Sequence, residues 1–181
     1  MIWLSSSALA KLRDRLRSRG QRPSLIAPAP GSVPPAVFET LSAVTEYGPL
    51  CEAMYLMMSA DGHVTNDERE VLQGALRNLS GDTLRSSQIE AMLDQSAKSV
   101  ADRGRVERTA HVCAALRDDP ARAEVAFVLA AAIAFADNVI ADEENETLNR
   151  LAESLGIDEE RANVLLDEVE TDLAQGPPSP G

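Results

Sequence analysis

Residues 125–136, VAFVLAAAIAFA, form an unbroken apolar run of twelve. A half-buried strand would alternate apolar and polar residues, and a bilayer-spanning helix would need about 18–20 apolar positions. The run therefore predicts a helix buried on all sides within a helical bundle. Composition agrees: 44% of the 181 residues are apolar but only 3% are aromatic. Such a core is built from Leu, Ala, Val, Ile and Met, a mixture rich in strong helix formers. No stretch alternates over the length of a strand.

Working outward, further helices are predicted at roughly 35–47, 49–60, 66–79, 87–99, 102–117, 121–136, 142–155 and 158–174. Gly48-Pro49, Ser80-Gly81 and Gly156 punctuate them, and Pro120 stands where a helix should start. Leu50, Met54, Met57 and Met58 form one apolar stripe, and Ala162, Leu165, Leu166, Val169 and Leu173 form another. The expected organisation is a basic amphipathic helix in residues 1–22, a Pro/Ala-rich linker over 23–34, a helical domain over 35–175 and a disordered tail at 176–181.

Charge divides the chain. Residues 1–22 carry Lys11, Arg13, Arg15, Arg17, Arg19 and Arg22 against Asp14, a balance of +5 that leaves −17 for the remainder of a chain whose net charge is −12. So acidic a body repels nucleic acid phosphates, which argues against a nucleic acid partner. Trp3, Leu9, Leu12 and Leu16 share a stripe of the basic helix, with arginines over much of the rest. Residues 2–19 suit three uses: docking on the acidic body, on a protein partner through Trp3, Lys11, Arg13, Arg15, Arg17 and Arg19, or peripherally on an anionic membrane. Cys51 and Cys113 both fall in apolar helical positions, so buried free thiols and a reducing cytoplasm are expected.

The long apolar run ends at Asp137, and the element it enters occurs twice. Residues 60–72 read ADGHVTNDEREVL, and residues 136–148, 76 positions later, read ADNVIADEENETL. Each has a turn aspartate, then Gly62 or Asn138, a β-branched residue, a run of acids and a leucine. Two readings stand side by side. In the first, each element is a joint between helices: Gly62 and Asn138 suit a left-handed C-cap, Thr65 and Glu68 make a capping box, and the acids favour a helix N-terminus. In the second, carboxylates at matching points of two hairpins converge. Asp61 precedes Glu68 by seven residues, as Asp137 precedes Glu144, and Ala141 leaves Glu144 without a hydroxyl capping partner. Four such carboxylates together would repel unless a divalent cation joined them, and an all-oxygen set selects calcium, magnesium or manganese. Neither copy is an EF-hand, because the leading carboxylate positions hold Met57 and Ser59 in one and Ile133 and Phe135 in the other.

The segments SADGHVTNDEREVL and FADNVIADEENETLNRLAESLGI resemble the two signature segments of the tellurite-resistance TerB family, whose helical domain also occurs in membrane-anchored DnaJ-type co-chaperones. The resemblance covers roughly residues 36–174. It implies an all-α bundle of about seven or eight helices in two pseudo-symmetric halves, a non-enzymatic role in bacterial stress response, and a protein partner. It also implies an acidic metal or partner site carried by Asp61, Glu68, Asp137 and Glu144, with Asp67, Asp142 and Glu143 as second choices. Asn138 stands where the family's second element usually has glycine. Enzymatic alternatives find little support: His63 and His111 are the only histidines, Glu107 and His111 read as a surface pair, and there is no phosphate loop or recognisable nucleophile.

Overall fold

The computed structural model describes residues 6–18, 35–59, 64–135 and 142–174; for residues 6–7, 35–40, 142–147 and 173 it describes the backbone alone. Within these the chain forms eight helices and no strand: α1 (Ser6–Ser18), α2 (Pro35–Met58), α3 (Asn66–Ser80), α4 (Ser86–Arg103), α5 (Arg105–Arg117), α6 (Pro120–Ala134), α7 (Asp142–Leu155) and α8 (Glu159–Ala174). This is the all-α bundle the composition predicts. The expected linker at 23–34 and tail at 176–181 lie outside the described residues.

Helix α6 is the centre. Every residue from Val125 to Ala132 is buried, more than two full turns with no face toward water. Helices α1, α2, α5, α7 and α8 all pack against it. Its alanines do the spacing: Ala130, Ala131 and Ala132 are wholly inaccessible, so neighbouring backbones approach closely there. Pro120 occupies the first turn, where a missing N–H costs nothing, and the Asp119 carboxylate accepts from Arg122 N as the N-cap.

Two helix boundaries differ from the sequence expectation. The predicted break at Gly48-Pro49 does not occur, and α2 continues through Pro49. Proline has no N–H to offer the Thr45 carbonyl one turn back. Arg122 of α6 takes over that role: its Nη2 donates to the carbonyls of Thr45, at 3.5 Å, and of Glu46. Helix α4 also outruns its predicted end and stops only at Gly104, whose φ of +81° a side chain would resist.

The internal repeat is visible in the backbone. Helix α2 ends at Met58 and α6 at Ala134, while α3 begins at Asn66 and α7 at Asp142, each pair separated by the same 76 residues. Arg122 and Glu46, which meet through the bond just described, are also 76 residues apart. Equivalent positions of the two halves thus touch where α2 and α6 run side by side.

Helix α1 lies against α3 and α6. Ala8, Leu9, Leu12 and Leu16 are all buried, so its apolar stripe is spent on the bundle.

Candidate functional site

The first acidic element leads into α3 through a complete capping box. Thr65 Oγ1 accepts from Glu68 N at 3.3 Å, while Glu68 Oε2 accepts from Thr65 N at 2.7 Å and from Thr65 Oγ1 at 2.8 Å. One carboxylate oxygen of Glu68 is therefore committed to the helix start. Asp67 beside it is exposed. In the second element Asp142, Glu143 and Glu144 occupy the first three positions of α7, so Glu144 stands at the same helical position as Glu68. Asp61, Gly62, His63, Asp137 and Asn138 lie outside the described residues, as do the side chains of Asp142, Glu143 and Glu144. Among the described residues no group of three or more His, Cys, Asp or Glu is gathered for a metal ion.

The helices that frame the two elements share one end of the bundle. Arg105 at the start of α5 donates from Nη1 to the carbonyl of Ser59 at 3.0 Å, which fixes the C-terminal end of α2 beside the N-terminal end of α5. Helix α6 returns antiparallel along α5 after the short Asp118-Asp119 link, so its C-terminal end reaches the same level. Helix α7 runs parallel to α5, since Gly156 just beyond its end sits against the Arg117 side chain at the end of α5. The ends of α2 and α6 and the starts of α3 and α7 therefore face the same way. The Arg105 guanidinium is a fixed cation there, at the negative end of the α2 dipole.

The basic residues of α1 are engaged with the body. Lys11 Nζ lies 3.3 Å from Asp172 Oδ1 on α8; Arg15 reaches Glu124 Oε2 on α6 at 3.4 Å and Glu168 Oε2 on α8 at 3.2 Å. Arg13 and Arg17 extend to Gly81, the left-handed cap that closes α3. Trp3 and Arg19 lie outside the described residues.

Among the ion pairs that escaped the sequence reading, two lie at partly buried carboxylates. Glu124 is gripped by Arg161 of α8, with Nε to Oε1 at 2.8 Å and Nη2 to Oε2 at 2.7 Å, and that bonding holds its carboxyl below the ordinary glutamate range. Its signal was available: a lone acid one position before a wholly apolar run needs a cation from elsewhere. Glu52 and Arg108 form the second pair, on the wall of a groove of about 470 Å³ between α2, α4 and α5, lined also by Pro49, Met92, His111 and Val112. No spacing in the sequence marks Glu52 and Arg108 as partners. The thiols are buried and free, as expected. Desolvation pushes Cys51 up to about 12 and raises Cys113, so neither offers a ready thiolate nucleophile.

The family model for tellurite resistance protein TerB matches residues 50–165, from the middle of α2 to the middle of α8. The chain belongs to the TerB family. The match takes in both acidic elements and the whole of α3 to α7, and it leaves α1 outside. No curated protein and no solved structure matches this TerB-family chain. No helix among the described residues is long and apolar enough to cross a membrane.

Proposed function

We propose that this TerB-family chain is a non-enzymatic module of a bacterial stress response whose working surface is the bundle end from which the two acidic elements emerge. Asp61, Glu68, Asp137 and Glu144 take up a divalent cation there, calcium, magnesium or manganese, and a protein partner reads the loaded surface. One observation carries the reading: the helices flanking the two elements end and restart at the same 76-residue offset and at the same end of the bundle. Carboxylates contributed by both elements would form an all-oxygen set, which suits hard cations. The protonated, buried thiols support the absence of covalent catalysis.

A second reading has its own support. Glu68 Oε2 already serves the α3 cap, which is what a purely structural joint requires. In that case the acids finish helices and partners bind elsewhere on the bundle.

A thermal melt of the full chain after chelation, titrated separately with calcium, magnesium and manganese, separates the two. Binding to the native state alone stabilises by RT ln(1 + [L]/Kd), about 2.7 kcal/mol at a hundredfold excess over Kd. A saturable, ion-selective rise in Tm that Asp61→Asn/Asp137→Asn abolishes supports the cation site. A flat response to all three ions overturns it in favour of the structural joint.

A further inference from the structure

We propose that the cleft holding α1 is a receptor for basic amphipathic helices, that α1 is its resident occupant, and that a partner protein's helix of the same pattern displaces it. The cleft has an apolar floor and an acidic wall. Leu9, Leu12 and Leu16, at spacings of three and four, are buried against α3 and α6. Lys11 and Arg15, one turn apart, meet Asp172, Glu168 and Glu124 on the other side. A ligand for this surface therefore needs leucines at i, i+3 and i+7 and cations at i+2 and i+6 of one helix.

Four features make α1 a ligand of the body as much as a part of it. When α1 leaves, Glu124 keeps both bonds to Arg161, while Glu168 and Asp172 are already reached by water, so no buried charge is orphaned. Helix α1 does not close against α8. The ion pairs span a groove of about 570 Å³ on whose wall Val164 is exposed, giving an incoming helix a foothold beside the occupied seat. Residues 19–34 join α1 to α2, a length of chain that spans up to ~3.5 Å per residue when extended, so α1 can leave without unwinding α2. The region matching the family also begins well after α1.

The probe is a fluorescein-labelled peptide of residues 6–18, titrated at low salt into the full chain, into Leu9→Glu/Leu12→Glu, and into Lys11→Glu/Arg15→Glu. A tethered helix competes at an effective concentration in the millimolar range, so the wild type should bind the peptide weakly. The leucine variant should bind it at least tenfold more tightly, the charge variant to an intermediate degree. A peptide carrying glutamate in place of Lys11 and Arg15 should not bind. The proposal is overturned if the leucine variant keeps its helical signal yet binds no more tightly than the wild type. It is equally overturned if both variants lose cooperative unfolding, because α1 is then integral to the core. A wild-type dimer, seen by light scattering and split by the peptide, would assign the seat to a second copy of the chain instead.

Discussion

Arg108 grips Glu52 with two parallel hydrogen bonds, Nε to Oε1 at 2.6 Å and Nη2 to Oε2 at 2.8 Å, and so joins the first turn of α5 to α2. The two side chains retain only 10% and 13% of their exposure. Fork-to-fork geometry of this kind is the strong form of an ion pair, and it is sensitive to the loss of one member.

Arg108→Ala or Glu52→Ala alone should each cost about 2–3 kcal/mol, below the range for fully buried pairs because the groove gives water some access. The double variant Glu52→Ala/Arg108→Ala should cost less than the sum of the two singles, because neither charge is then left unpaired. Urea unfolding of the four proteins would yield a coupling of about 1–3 kcal/mol. A coupling near zero would mean that the groove wall is held by apolar contacts alone.

Glu124 sets an acid limit. Its bond to Arg161 keeps its folded-state pKa below the ordinary 4.5. A carboxylate depressed on folding contributes stability that is complete above its unfolded value and is lost as pH falls through the folded one. The wild type should therefore lose stability progressively below about pH 4.5. Glu124→Gln should be less stable at pH 7 and show a shallower decline in that window. Stability measured by denaturant at a series of pH values checks both slopes.

The α3 cap separates helix finishing from ion binding. Thr65→Ala removes the hydroxyl that Glu68 N needs and should cost about 1 kcal/mol in the chelated protein. Glu68→Gln keeps a side chain able to complete the box but removes the charge. It should leave the chelated protein close to wild type while diminishing any cation-induced rise in Tm. Equal responses of wild type and Glu68→Gln to saturating cation would exclude Glu68 as a ligand.

Gly81 closes α3 with φ +61° and lies under Arg17 and Arg13 of α1. Gly81→Ala should cost about 1–2 kcal/mol from the left-handed backbone. The Arg17 end group, 2.8 Å from the added Cβ, can swing aside. The check is a lower urea midpoint at unchanged slope.

Local signals were well expressed in the sequence, and contacts between distant segments were not. The helix from Asp142 to Leu155, the proline start of α6 and the Thr65–Glu68 box all follow from residues a few positions apart, where propensity and capping act directly. Pro49 misled because its missing bond is made good by Arg122, which comes from the other half of the chain. Glu52 and Arg108 were invisible for the same reason: nothing in a one-dimensional string states that α2 and α5 lie antiparallel. The acidic repeat was legible as a repeat because duplication writes a fixed offset into the string. The placement of its helices at one end of the bundle required the packing of α5 against α2, α6 and α7.

The fully enclosed α6 has a consequence for synthesis. Of the helices that surround it, α1, α2 and α5 leave the ribosome first, but α7 and α8 follow it. For that interval the flank of α6 that α7 and α8 later cover has no permanent cover. The nascent chain is then most open to off-pathway association, so a pause in translation just after α6 should cost more soluble product than a pause anywhere earlier.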